Sequence, residues 1–228
     1  MIKSVIFVIS ALVLVNGMSA QPDTERKLDS FRKIIIGDKI IVRLVKSDHE
    51  SAIIKVQGID PEAVRTQVSD GTLSLSIYGE PFTRKKVMVT LNYVDLSMIS
   101  VNNGAEVTTS SLFKADTLRV DLKSGGMLYL DADIACLISR IIEGGLMSAE
   151  GYATNQEVTV ASTGTLSAFD LESDKITIKV TTGGKAKINV EEELDAEVSS
   201  KGYISYKGNP AKINRIANSG GSIVVYEP

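Results

Sequence analysis

From residue 96 onward, one small residue recurs at nearly fixed intervals. Ala105, Gly126, Gly145, Gly164, Gly184, Gly202 and Gly221 are separated by 21, 19, 19, 20, 18 and 19 residues. Their flanks repeat in phase. Two residues after each position stand Val107, Leu128, Met147, Leu166, Ala186, Ile204 and Ile223. Four residues before stand Val101, Leu122, Ile141, Val160, Val180, Val198 and Ala217. Apolar and polar residues alternate on both sides, and a period of two is that of a strand, whose successive side chains point to opposite faces. Each repeat therefore reads as two short strands meeting at a corner. Glycine suits such a corner if the backbone needs φ > 0, or if two backbones pass too close for a Cβ.

A single repeat has only a handful of inward side chains and cannot bury them alone, whereas repeats stacked in register can. Stacking also pairs each strand with the coil above and below, at about 4.8 Å per coil. The expected architecture is all-β, a parallel β-helix or solenoid of about seven coils of ~19 residues over residues 96–228. A β-sandwich with hairpins every 8–12 residues or so would explain the alternation, but not one corner per repeat.

Residues 30–95 lack the glycine column. Phe31 to Val45 alternates around Gly37, and Ala52–Val56, Thr72–Tyr78 and Lys86–Leu91 read as further strands. They are expected to cap the first coil and cover its open edge. Asp60-Pro61-Glu62-Ala63, with an acid before a proline, predicts one helical turn between them. Asn209-Pro210 and Pro228 would discourage further strand addition at the other end.

The chain opens with Lys3, an apolar run from Val5 to Val15 and small residues ending at Ala20. This is the layout of a secretory signal peptide, residues 1–20, cleaved after Ala20. The run is too short to span a bilayer, so no transmembrane span is expected in the mature chain. Residues 21–29 read as a flexible N-terminal segment. Losing Lys3 takes the net charge from −3 to −4, and a mildly acidic exported domain has no broad electrostatic reason to bind nucleic acid. Cys136 is the only cysteine, so no internal disulfide can form. Its apolar setting predicts a buried, inert thiol.

No catalytic, cofactor or metal constellation emerges. His49 is the only histidine and reads as a solvated loop residue in a polar stretch, which argues against Ser-His-Asp, Cys-His and two-histidine metal chemistry. The acidic groups Asp170-Leu171-Glu172-Ser173-Asp174 and Glu191-Glu192-Glu193 read as solvated turns. Asp131 and Asp133, with Asp116 and Asp121 one coil earlier, form the one carboxylate ladder that a carbohydrate-active β-helix enzyme would use. Tyr129, Tyr152 and Tyr203 fall at outward or corner positions, and exposed tyrosines on a rigid sheet suit sugar rings or protein partners. The expectation is a non-enzymatic binding module without cofactors. Its candidate partners are cell-surface glycans or envelope proteins, and self-association to a homo-oligomer through the coil ends stays open. The alternatives are a carbohydrate-active enzyme or a purely structural envelope protein.

The opening strands (Phe31, Ile35, Ile41-Val42-Arg43-Leu44), the Asp70-Gly71-Thr72-Leu73-Ser74-Leu75 strand, the recurring glycine corners and Tyr203-Ile204-Ser205-Tyr206-Lys207-Gly208-Asn209-Pro210 occur in a familiar order. Together they resemble the head GIN domain family of auto-transporter adhesins, a domain of unknown function common in Bacteroidota. The resemblance covers residues 30–226. It implies a right-handed parallel β-helix, export to the periplasm or cell surface of a Gram-negative bacterium, and an adhesin-like role. It brings no known functional residues. Asn103, Glu143, Ser162, Thr182 and Ser200 depart from the pattern, standing where the motif's first glycine would fall.

Overall fold

The computed structural model describes residues 23–79 and 86–226. Residues 1–20, read from the sequence as a signal peptide, lie outside that range. The N-terminal part holds β1 (Thr24–Lys27), β2 (Lys33–Ile36), β3 (Ile41–Lys46), β4 (Ser51–Gln57), β5 (Val64–Ser69), β6 (Thr72–Ile77) and β7 (Lys86–Tyr93). The repeats supply β8 (Met98–Val101), β9 (Glu106–Thr109), β10 (Phe113–Leu122), β11 (Met127–Ile141), β12 (Leu146–Val160) and β13 (Thr165–Val180). They end with β14 (Lys185–Val198), β15 (Tyr203–Lys207), β16 (Lys212–Ala217) and β17 (Ser222–Val225). A single 3-10 turn, Pro61–Ala63, begins where Asp60 accepts the Glu62 N–H at 2.9 Å.

From β8 to β17 every pairing is parallel, so the repeats form a β-solenoid with the expected ~19-residue spacing. The apolar alternation is the reason. Leu122, Ile141, Val160, Val180 and Val198 stack in one buried column, and Leu128, Met147, Leu166, Ala186 and Ile204 in another. The two short strands expected per repeat are joined in the central coils. Each of β11 to β14 leaves one corner and continues round a bend to the next. In β11 the buried set runs Leu128, Leu130, Ala132, Ile134 and then changes phase to Leu137, Ser139, Ile141. Cys136 lies at that change of phase and is half-buried, because the bend turns it partly toward solvent instead of into the core.

The corners are tight turns in which two consecutive residues have φ > 0. In Lys123-Ser124-Gly125-Gly126 these are Ser124 (φ 49) and Gly125 (φ 74), and the Gly126 N–H closes the turn on the Lys123 carbonyl at 3.0 Å. The apparent departures Asn103, Glu143, Ser162, Thr182 and Ser200 all occupy the first of these positions, with φ of 47 to 51. The recurring glycine itself follows the left-handed pair and needs no unusual φ. A Cβ on Gly126 would come 2.2 Å from the Val101 carbonyl oxygen of the coil before. Of the two reasons for glycine, close approach is the operative one.

The N-terminal strands do not simply precede the stack. β2 pairs in parallel with β6 on one side and β8 on the other, and β3 likewise with β7 and β9. The β2–β3 coil is thus threaded between the β6–β7 coil and the β8–β9 coil. Beyond them β5 runs antiparallel to β6, and β4 antiparallel to β7. β1 pairs antiparallel with β4, so residues 24–27 of the segment 21–29 form a strand. Arg26 fixes this strand by donating to the carbonyls of Pro61 (3.0 Å) and Val64. The core at this end contains Phe31, Phe113 and Tyr93, the last two stacked at 5.8 Å. Burial, aided by nearby Asp95, pushes the Tyr93 phenol up to about 12.

Candidate functional site

After each corner the chain runs along one broad side of the stack, and its outward residues form columns across coils. Thr108, Tyr129, Ser148, Ser167, Lys187 and Ser205 are successive partners in one column. Beside it, Asp131, Glu150 and Asp170 are successive partners in a second. Adjacent coils lie about 4.8 Å apart, so the polar groups repeat at that interval. Between the columns is a shallow depression of about 220 Å³, lined by Thr108, Tyr129, Asp131, Ser148, Glu150, Ser167 and Asp170 among others. The Asp131 N–H is donated to Thr109 Oγ1 at 3.1 Å, which fixes the strand under its carboxylate.

One wall of this depression is a feature that the repeat alone did not reveal. Between β12 and β13 the register slips: Ser148 pairs with Ser167, but Glu150 pairs with Asp170. The additional residue bulges there, and the Phe169 ring meets the Tyr226 ring at 4.7 Å. The ammonium groups of Lys187 and Lys207 lie 5.6 and 5.9 Å from the centre of the Phe169 ring. Lys207 Nζ is also 3.9 Å from Asp170 Oδ1. The only sequence trace of the bulge is the 20-residue interval from Gly164 to Gly184 where its neighbours have 19 and 18.

The three candidate tyrosines do not converge. Tyr129 is exposed within the depression. Tyr203 is exposed on the same side, in the column shared with Lys185 and Ser222, four coils away and therefore roughly 19 Å along the stack. Tyr152 lies past the Gly151 bend, half-buried, donating to Asp174 Oδ1 at 2.8 Å. That hydrogen bond raises the Tyr152 phenol above its ordinary value.

The carboxylate ladder is likewise dispersed. Asp121 is ion-paired to Arg140 at 3.5 Å on the side before the corner. Asp133 is ion-paired to Lys114 at 2.7 Å, and both line a second depression of about 490 Å³ with Asp95 and Asp116. Only Asp131 reaches the first depression, where its companions are Glu150 and Asp170. Asp131 and Asp133, two residues apart on β11, thus line different depressions. Glu193 faces Lys212 at 3.9 Å. His49 lies in an exposed turn with Nδ1 2.6 Å from Asp48 Oδ1, and this bond holds the Asp48 carboxyl below its usual range. Among the described residues no three His, Cys, Asp or Glu side chains are placed to hold a metal ion.

A family model described as "Putative auto-transporter adhesin, head GIN domain" matches residues 30–210. The chain belongs to this family. The GIN domain also shares its fold with solved structures. A "putative adhesin" from Bacteroides fragilis NCTC 9343 is 20% identical, with a TM-score of 0.75 over 90% of this chain and 95% of that one. Another from Parabacteroides merdae ATCC 43184 is 19% identical, with a TM-score of 0.74 over 90% and 96%. A "putative lipid binding protein" from Parabacteroides distasonis ATCC 8503 is 17% identical, with a TM-score of 0.71 over 90% and 96%. No curated protein matches. Among the described residues no helix of this GIN domain is long and apolar enough to cross a membrane.

Proposed function

We propose that this GIN domain is an exported, non-enzymatic binding module of the periplasm or cell surface, and that it lays a glycan chain across the Tyr129 side of its stack. The observation that carries this reading is the pair of polar columns running across adjacent coils, Thr108-Tyr129-Ser148-Ser167 beside Asp131-Glu150-Asp170. An exposed tyrosine offers a flat apolar surface to the C–H face of a sugar ring. The neighbouring carboxylates and hydroxyls accept and donate hydrogen bonds to sugar hydroxyls. Parallel coils hold these groups on rigid backbone, which limits the entropy lost on binding. Membership of an adhesin family supports the same reading.

A glycan array probed with the purified protein tests it. Selective binding should fall at least tenfold on Tyr129→Ala and on Asp131→Asn, while Tyr78→Ala, exposed elsewhere, leaves it intact. An array on which nothing is enriched, or binding indifferent to both variants, rules the reading out. Asp131 and Glu150 on adjacent coils also give a second reading some footing, because paired carboxylates several ångströms apart can cleave glycosidic bonds. Release of reducing ends from a bound polysaccharide, abolished by Glu150→Gln, would replace binding with hydrolysis.

A further inference from the structure

The two ends of the stack are finished differently. At the N-terminal end the edges of β6 and β7 are covered by β5 and β4. At the other end β16 and β17 each have, among the described residues, one partner strand. The hydrogen bonds Asn218 N–H to Val198 O (2.9 Å), Ser222 N–H to Gly202 O (3.0 Å) and Tyr226 N–H to Tyr206 O (2.7 Å) fix which residues point back into the stack. Because backbone groups alternate along a strand, the N–H and C=O groups of Ile213, Arg215, Ala217, Ile223 and Val225 point the other way, to the free edge. These same five side chains form the last layer of the interior, over Leu194, Ala196, Val198, Ile204 and Tyr206. Ile213 and Val225 are 45% and 50% exposed. An open edge above an uncovered layer that is apolar apart from Arg215 is a template for an added strand.

The charges select the occupant. Within β16 and β17 there are two cations, Lys212 and Arg215, and no acid, and in sequence Glu227 follows Tyr226. Lys212 faces Glu193 on the outer surface, whereas the Arg215 guanidinium lies over the end of the core with, among the described residues, the Tyr206 hydroxyl at 3.3 Å as its hydrogen-bond partner. The β16 and β17 strands of a second copy docked edge to edge would bring the same cations and no acid of their own, and burying a guanidinium without a carboxylate is costly. We propose that this end takes an extended polypeptide segment of another protein as an added β-strand, with apolar residues on its inner face and a carboxylate opposite Arg215. This surface is separate from the Tyr129 side and does not depend on its function.

Selection of random peptides displayed on phage against the purified protein tests the proposal. Recovered peptides should alternate apolar and polar residues around an Asp or Glu. Arg215→Glu should reverse that preference to Lys or Arg, a result that loss of folding cannot imitate. Ile213→Pro and Val225→Pro remove an edge N–H that no strand among the described residues uses, and should each weaken a recovered peptide at least tenfold with unchanged circular dichroism. The proposal is overturned if no peptide is enriched, if the recovered peptides ignore Arg215→Glu, or if light scattering shows the protein closing on itself as a dimer.

Discussion

At the scale of single residues, one recurring letter hides two different demands. Gly144 has φ +73 and open space where a Cβ would be, while Gly145 has ordinary φ and would place its Cβ 2.8 Å from the Leu122 carbonyl oxygen. The first requires a left-handed backbone, which costs an L-residue roughly 1–2 kcal/mol. The second requires that two coils separate, and overpacking of this kind costs about 1–3 kcal/mol and spreads along the stack. Gly144→Ala should therefore lower stability by about 1 kcal/mol, close to the cost that Ser162 and Thr163, at φ 47 and 63, already bear in the next turn. Gly126→Ala should cost about 3 kcal/mol, because its Cβ would meet backbone at 2.2 Å. Urea unfolding of the two variants checks the order; equal losses would mean that conformation, not spacing, governs the corner.

At the scale of elements, the repeats were legible because each strand's alternation and corner are local. Gly126 and its counterparts announced the period, and the parallel pairings follow from it. The order of stacking was not legible. Gly37-Asp38-Lys39-Ile40 makes the same turn, with φ 58 at both Asp38 and Lys39, but ends in isoleucine, so no glycine flags it as a coil. Its place between β6–β7 and β8–β9 depends on contacts 39 and 65 residues apart in sequence. The depression was half legible for the same reason: Tyr129 follows the period, while Asp170 reaches the site only through a bulge. β1 was missed because its four residues carry no apolar alternation. Arg26 does the work instead, through bonds to Pro61 and Val64 carbonyls. Charge-assisted hydrogen bonds are worth about 1.5–3 kcal/mol, so Arg26→Ala should free β1 and expose the outer edge of β4. Hydrogen exchange at residues 51–54 should then accelerate by about tenfold or more, with residues 146–180 unchanged. Equal acceleration in both regions would show that β1 contributes to the whole stack and not to one edge.

At the scale of the molecule, a stack in which each coil touches only its neighbours has a stability that varies along its length, as a sum of coil and interface terms. Coils in the middle gain two interfaces, and an end coil gains one unless something covers it. Here β4 and β5 give the N-terminal end its second interface. The β16–β17 coil has none among the described residues, and every residue of β16 is exposed. Fraying must then be one-sided. Native-state hydrogen exchange should show the slowest amides in β12 and β13, with protection falling through β14 and β15 to β16 and β17, and no comparable fall toward β6 and β7. Within β16 the pattern should alternate, the amides of Asn214 and Ile216 exchanging more slowly than those of Ile213, Arg215 and Ala217, because only the former are bonded into the stack. A symmetrical profile, with β6 as labile as β17, would mean that the antiparallel strands add no interface and that the two ends are physically alike. A one-sided profile leaves the C-terminal coil as the place where the protein gains most from any strand laid upon it, since a bound partner stabilises only the state it binds.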